Sequence, residues 1–177
     1  MKNILLLGAT GSIGKSVLSV LSENSKKFNL FGISFNKNFS IAEKIINKFS
    51  PKYAYIEDKD CFNRQYDKNS CQFLSGDKSL EELIRHRDID IIICATSGFA
   101  GLKATYIAAS TGKKILLANK ESIVAGGDLI LPLAKENNTE IMPIDSEHNA
   151  IFQCLSGEKN TEDVKKIIIT ASGGPFL

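Results

Sequence analysis

Ile4-Leu5-Leu6-Leu7 is the first of several short apolar runs along this chain. No polar residue interrupts it, which suits a strand buried on both faces. Such a strand needs a cover on each side, and the residues between the runs supply one. Ile13, Val17, Leu18 and Leu21 recur at helical spacing, as do Ile41, Ile45, Ile46 and Phe49. Leu80, Leu83 and Ile84 mark a further helix; Leu102, Tyr106, Ile107 and Ala109 another; Leu129, Leu133 and Ala134 a last long one. Strands are expected at 4–7, 30–35, 53–56, 72–74, 90–95, 114–117, 141–144 and 166–170. Ser40-Ile41-Ala42-Glu43 has the spacing of a capping box at the start of the second helix. Regular alternation of strand and helix predicts a doubly wound, mostly parallel α/β sheet.

The turns after the strands carry the chemistry. Gly8-Ala9-Thr10-Gly11-Ser12-Ile13-Gly14 joins the first strand to the first helix. Glycines there let backbone approach a pyrophosphate, and the helix N-terminus offers N–H donors and a positive dipole end. The spacing differs by one residue from the usual dinucleotide fingerprint, and a plain tight turn has the same composition. After the second strand comes Asn36-Lys37-Asn38, where NAD-binding chains place a carboxylate for the ribose 2′-OH. A lysine flanked by amides would instead attract a 2′-phosphate, which favours NADP over NAD. Ala118-Asn119-Lys120-Glu121-Ser122 follows the strand at 114–117, and Lys120 there could hold a substrate oxygen or phosphate. The alternative is an ordinary capped helix start.

Asp145-Ser146-Glu147-His148-Asn149-Ala150 follows the run at 141–144. If the strand continues, alternation puts Asp145 and Glu147 on one side, a pair that invites a hard divalent cation. A solvated acidic loop before a helix is the bland alternative. His148 reads as structural. A short helix is expected after Asn149, carrying Ile151, Phe152 and Leu155, then a polar linker at 156–165. Ser172-Gly173-Gly174 has the look of an anion-binding turn.

Composition excludes several classes. A net charge of +2, with lysines spread along the chain, gives no basic patch for nucleic acid. No apolar run reaches membrane-spanning length, and the first is too short for a signal peptide. Cys61, Cys71, Cys94 and Cys154 form no CxxC pair, so neither a zinc site nor a disulfide framework is expected, and a reducing cytoplasm is the expected location.

Taken together, the Gly8–Gly14 turn, Asn36-Lys37-Asn38, Asn119-Lys120-Glu121-Ser122, the stretch from Asp145 to Gln153 and Ser172-Gly173-Gly174-Pro175-Phe176 resemble, in the same order, the 1-deoxy-D-xylulose 5-phosphate reductoisomerase family. The resemblance implies a Rossmann-like NADPH-binding domain over residues 1–144 and the beginning of a metal- and substrate-binding α+β catalytic domain over 145–177. It implies an NADPH- and metal-dependent (Mg2+, Mn2+ or Co2+) isomerisation and reduction of 1-deoxy-D-xylulose 5-phosphate to 2-C-methyl-D-erythritol 4-phosphate, in the non-mevalonate isoprenoid pathway. Thr10, Gly11, Ser12 and Ile13 would hold the pyrophosphate end of the cofactor. Lys37 and Asn38 would meet its 2′-phosphate side. Asn36 stands where the family often has a small residue. Asn119 and Glu121 would border NADPH. Lys120 and Glu147 would be catalytic, with Asp145 and Glu147 as metal ligands. Lys120, Ser146, Glu147 and Ser172 would meet the substrate. The family forms homodimers and continues well beyond this length. The chain is therefore expected to be an N-terminal portion without competent catalysis. Two other readings remain: a stand-alone NADP-binding module, and another NADP-dependent oxidoreductase such as a semialdehyde dehydrogenase. The latter needs a catalytic cysteine in a strand-to-helix turn, which neither Cys94 nor Cys154 supplies.

Overall fold

The structure is a computed structural model that describes residues 1–63, 71–156 and 161–170. Its strands are β1 (Lys2–Leu7), β2 (Phe28–Phe35), β3 (Tyr53–Ile56), β4 (Gln72–Leu74), β5 (Ile91–Cys94), β6 (Lys114–Leu117) and β7 (Ile141–Pro143). They form one sheet in the order β4-β3-β2-β1-β5-β6-β7, and every pairing is parallel. The helices are α1 (Ser12–Glu23), α2 (Phe39–Phe49), α3 (Lys59–Asn63), α4 (Asp77–Arg85), α5 (Leu102–Ala109), α6 (Lys120–Glu136) and α7 (Ser146–Leu155). Among the described residues, no helix is long and apolar enough to cross a membrane.

β1 is central, and its side chains divide by the two-residue period of a strand. Ile4 and Leu6 enter one core with Leu18 and Leu21 of α1 and Ala42, Ile45 and Ile46 of α2. Leu5 and Leu7 enter the opposite core with Leu80, Leu83 and Ile84 of α4 and Ala104, Ile107 and Ala108 of α5. All four β1 side chains are buried. Cys94 sits in the second core, where burial pushes its thiol up to about 12, so it is an inert packing residue.

The chain winds outward from β1 in one direction to β4, then returns to the other side of β1 to place β5. The sheet therefore has a switch point between β1 and β5, where the loops beyond their carboxyl ends part and leave a crevice. Gly8 turns the chain there. It has φ +84, and a Cβ on it would lie 2.6 Å from the Ala95 carbonyl carbon and oxygen. Gly14 lets α1 sit against the turn: a Cβ there would lie 2.6 Å from the carbonyl oxygens of both Gly8 and Ala9.

Four sequence expectations are corrected. The capping box at Ser40 does not form: α2 begins at Phe39, and Asn38 is its cap, accepting from Ile41 N at 3.3 Å. The cap lies closer to β2 because the connection from Phe35 is only three residues long. The strand before Asp145 does not continue either. β7 ends at Pro143, Asp145 is the N-cap of α7, and the helix starts at Ser146 rather than after Asn149. Asp145 and Glu147 are thus brought together by a helix cap and first turn, not by strand alternation. Residues 166–170 form no strand: among the described residues no strand pairs with them, and Ile167, Ile168 and Ile169 are exposed. The Ser172 turn lies outside the described residues.

Ile92 is fully buried in β5. Ile92→Ala is expected to cost about 2–5 kcal/mol, the usual range for a buried large-to-small change. Urea unfolding followed by circular dichroism would measure it, with a lower midpoint and an unchanged slope.

Candidate active site

The crevice at the switch point runs along the carboxyl edge of the sheet. One part, of about 230 Å3, is lined by Gly8, Thr10 and Gly11 from the first turn, Ser34 and Asn36 from β2 and its end, and Thr96 and Ser97 beyond β5. A second part, of about 540 Å3, shares Gly11, Thr96 and Ser97 and adds Ser12, Ile13, residues 118–121 and residues 144–147. Thr10, Gly11, Ser12, Ile13, Asn36, Asn119, Lys120, Glu121, Asp145, Ser146 and Glu147 therefore line one continuous edge. Lys37 lies further out, on a neighbouring recess with Phe39, Asp58 and Cys61. Asn38 lies beside it, with its side-chain oxygen committed to the α2 cap.

The helices that meet this edge differ at their N-termini. α2, α6 and α7 are capped by the side chains of Asn38, Asn119 and Asp145. α1 is not, and neither are α4 and α5; the α1 N-cap is Gly11, without a side-chain hydrogen bond, and its first turn holds no acidic residue. The first N–H groups of α1, at Ser12 and Ile13, thus stand beside the crevice with no capping side chain, where an anion would satisfy them.

Asn119 lines the crevice but turns its side chain into the protein. Its side chain is only 2% exposed. Its Nδ2 donates to the carbonyl oxygens of Thr96 and Gly98 (2.7 Å to Gly98), and its Oδ1 accepts from Ser122 N at 2.7 Å and from Ser122 Oγ. Two donors and two acceptor sites are all used. The amide clips the loop after β5 to the start of α6, so Asn119 borders the crevice without side-chain capacity for a ligand. Sequence reasoning saw an amide at a strand end; only the approach of the 96–98 loop reveals what it binds.

At the far end of the crevice, Lys120 Nζ lies 3.2 Å from Glu147 Oε2, and Ser146 Oγ donates to the same oxygen at 3.0 Å. Asp145 is nearly buried. Its Oδ2 accepts from His148 N at 3.1 Å and lies 2.8 Å from His148 Nδ1. The Glu147 carboxyl is pulled down to about 2, first by a backbone N–H at the helix start and then by Lys120 and Ser146. Lys120 is raised in turn by Glu147. Among the described residues, no group of three or more His, Cys, Asp or Glu side chains is arranged to hold a metal ion. Asp145 and Glu147 are two oxygen donors, with an ammonium already resting on one of them.

A parallel, doubly wound sheet with a crevice at its switch point defines a Rossmann-like α/β protein. Comparison with known proteins is more specific. The profile described as 1-deoxy-D-xylulose 5-phosphate reductoisomerase matches residues 4–127, and that of the family's C-terminal domain matches residues 141–177. The chain is 45% identical to the 1-deoxy-D-xylulose 5-phosphate reductoisomerase of Ruthia magnifica subsp. Calyptogena magnifica, over 100% of this chain and 46% of that protein. It is 43% identical to that of Clostridium novyi, over 99% of this chain and 47% of the relative. Among solved structures, the Zymomonas mobilis enzyme in complex with NADPH superposes with a TM-score of 0.81 at 36% identity, covering 86% of this chain and 41% of the other. A reductoisomerase in complex with NADPH, fosmidomycin and magnesium also gives a TM-score of 0.81, at 35% identity, covering 87% and 39%. The chain belongs to the 1-deoxy-D-xylulose 5-phosphate reductoisomerase family, and it spans about half the length of the curated relatives it matches.

Two outcomes follow from this geometry. Asn119→Ala leaves the buried Ser122 N–H and hydroxyl and the part-buried Thr96 and Gly98 carbonyls without this partner, and is expected to cost about 1–3 kcal/mol in chemical denaturation. For Glu147, a folded value below the unfolded one means that its contribution to stability is present above the ordinary glutamate range and fades as pH falls through about 2. Both side chains of the pair are about half exposed (45% and 49%), so that contribution is small. Side-chain carboxyl NMR of the metal-free protein should find Glu147 ionised at pH 4, and Lys120→Gln should move its midpoint upward.

Proposed function

We propose that this chain carries the cofactor-binding part and two metal-facing carboxylates of an NADPH- and divalent-metal-dependent enzyme that isomerises and reduces 1-deoxy-D-xylulose 5-phosphate to 2-C-methyl-D-erythritol 4-phosphate, in the non-mevalonate isoprenoid pathway. The observation that carries this reading is the uncapped N-terminus of α1 at the switch-point crevice. A dinucleotide fits there. The Ser12 and Ile13 amides would meet its pyrophosphate, with Thr10 and Gly11 beside them. Asn36 and Lys37, beyond β2, lie on the side where the adenosine 2′-phosphate belongs, and Lys37 is the cation that would pair with it. Asn119 would shape the nicotinamide end through the 96–98 loop, and Glu121 would border it.

Asp145 and Glu147 are the hard oxygen donors that Mg2+, Mn2+ or Co2+ takes, and the Lys120 ammonium on Glu147 supports a preference for positive charge at that point. When bound, the metal polarises a substrate carbonyl and NADPH supplies a hydride. The residues of the chain hold and orient the reactants around that chemistry. Lys120 would leave Glu147 to stabilise negative charge developing on the substrate oxygen. Ser146 and Ser172 would donate to the sugar phosphate. The matched stretches 4–127 and 141–177 support a division into an NADPH unit over residues 1–144 and the beginning of the metal and substrate unit over 145–177. Two carboxylates without a third described donor favour weak metal binding, so the 177-residue chain by itself is expected to bind NADPH without turnover. The cytoplasm is the natural compartment for this reading.

Titration of NADPH and NADH into the purified chain, followed by nicotinamide fluorescence, tests this. NADPH is expected to bind about tenfold more tightly, consistent with one charge-assisted phosphate contact, and Lys37→Gln should remove most of the difference. Equal or tighter NADH binding would sink the assignment of Lys37.

A further inference from the structure

Lys37 already has an anionic partner. β2 and β3 are paired in parallel register with Phe35 opposite Ile56, so Lys37 and Asp58 each stand two residues past the end of neighbouring strands. Asp58 Oδ2 lies 3.5 Å from Lys37 Nζ. The two side chains are unequal. Lys37 is 75% exposed and free to swing, whereas Asp58 is only 22% exposed. The aspartate is also anchored: Oδ1 accepts from Cys61 N at 2.8 Å and its backbone oxygen from Phe62 N at 3.0 Å, at the start of α3. The Cys61 backbone N–H first, and then Lys37, hold its carboxyl below the usual range, so it is charged at neutral pH. Glu43 and Asp60 line the same recess of about 510 Å3 and add to its negative character.

We propose that Asp58 is a specificity-determining residue whose fixed carboxylate competes with the cofactor 2′-phosphate for Lys37. This rests on the assignment of Lys37 to the 2′-phosphate. A phosphate monoester carries nearly two negative charges at neutral pH, so it must draw the mobile lysine away from Asp58 and tolerate that carboxylate nearby. NADH has no such phosphate and meets neither effect. Asp58 thereby sets how strongly the chain prefers NADPH, holding the preference below what Lys37 alone would give.

Asp58→Asn tests this cleanly, because an asparagine oxygen can still accept from Cys61 N while the charge is gone. NADPH should bind about 2- to 5-fold more tightly, in line with the release of one partly exposed ion pair, and NADH affinity should stay unchanged. The gain should shrink at high salt and shrink further when Lys37→Gln is added. Asp58→Ser, which also keeps a cap acceptor, gives an independent measurement, with circular dichroism and melting temperature confirming the fold of each variant. Unchanged or weaker NADPH binding in both variants overturns the proposal, as does a gain that persists in full without Lys37. If the unaltered chain prefers NADPH and Asp58→Asn leaves that preference alone, only the role of Asp58 fails. If the unaltered chain shows no preference, the Lys37 assignment fails and takes this inference with it.

Discussion

The close approach of the Gly8 turn to the Ala95 carbonyl is the constraint on which the rest of the molecule depends. β1 is buried on both faces and paired along both edges, so nothing can be inserted between it and β5. At the carboxyl end the two strands must diverge within a few residues, into α1 on one side and toward α5 on the other. A side chain on Gly8 would occupy the space of the Ala95 backbone, and one on Gly14 would lift α1 off the turn. With glycine at both, α1 starts close to the sheet edge, its uncapped N–H groups beside the crevice. The crevice is thus a consequence of how tightly the centre of the sheet is packed.

A second layer of construction sits on that edge. Asn119 spends its whole hydrogen-bonding capacity joining the loop after β5 to the start of α6, and Asp145 spends part of its own capping α7. These buried side chains fix the positions from which exposed ones act. Lys120 follows Asn119 directly, Glu147 lies two residues after Asp145, and the two meet at 3.2 Å although they are distant in sequence. The same division holds at Lys37 and Asp58, where an anchored carboxylate faces a mobile lysine.

Much of this was legible in the residues. The uninterrupted run Ile4-Leu5-Leu6-Leu7 required cover on two faces, and the strand–helix alternation allowed only a parallel, doubly wound arrangement. The glycine turn, Asn36-Lys37-Asn38, Lys120 and the Asp145–Glu147 stretch could be picked out because each follows an apolar run, at the end of an expected strand. Less legible were positions where two local patterns competed. Ser40-Ile41-Ala42-Glu43 satisfied the spacing of a capping box, but the short connection from β2 gave the cap to Asn38. The run at 141–144 looked like a strand that could carry Asp145 onward, yet Asp145 served better as a helix cap. The apolar residues 167–169 resembled a strand, but a strand needs a neighbour, and no described strand lies beside them.

The sequence by itself determined the fold class, the family and which residue types stand at the strand ends. Hydrophobic period and glycine placement are local properties, and they are enough to define an α/β sheet and its switch point. The tertiary structure alone decided what each polar side chain touches. Asn119 faces inward to the 96–98 loop, Glu147 meets Lys120, and Lys37 meets Asp58, because strand order and register bring together residues that sequence spacing keeps apart. A hydrogen bond or an ion pair is settled within a few ångströms. That is why the strand-end residues could be read from the chain, whereas their partners appear only in the packed sheet.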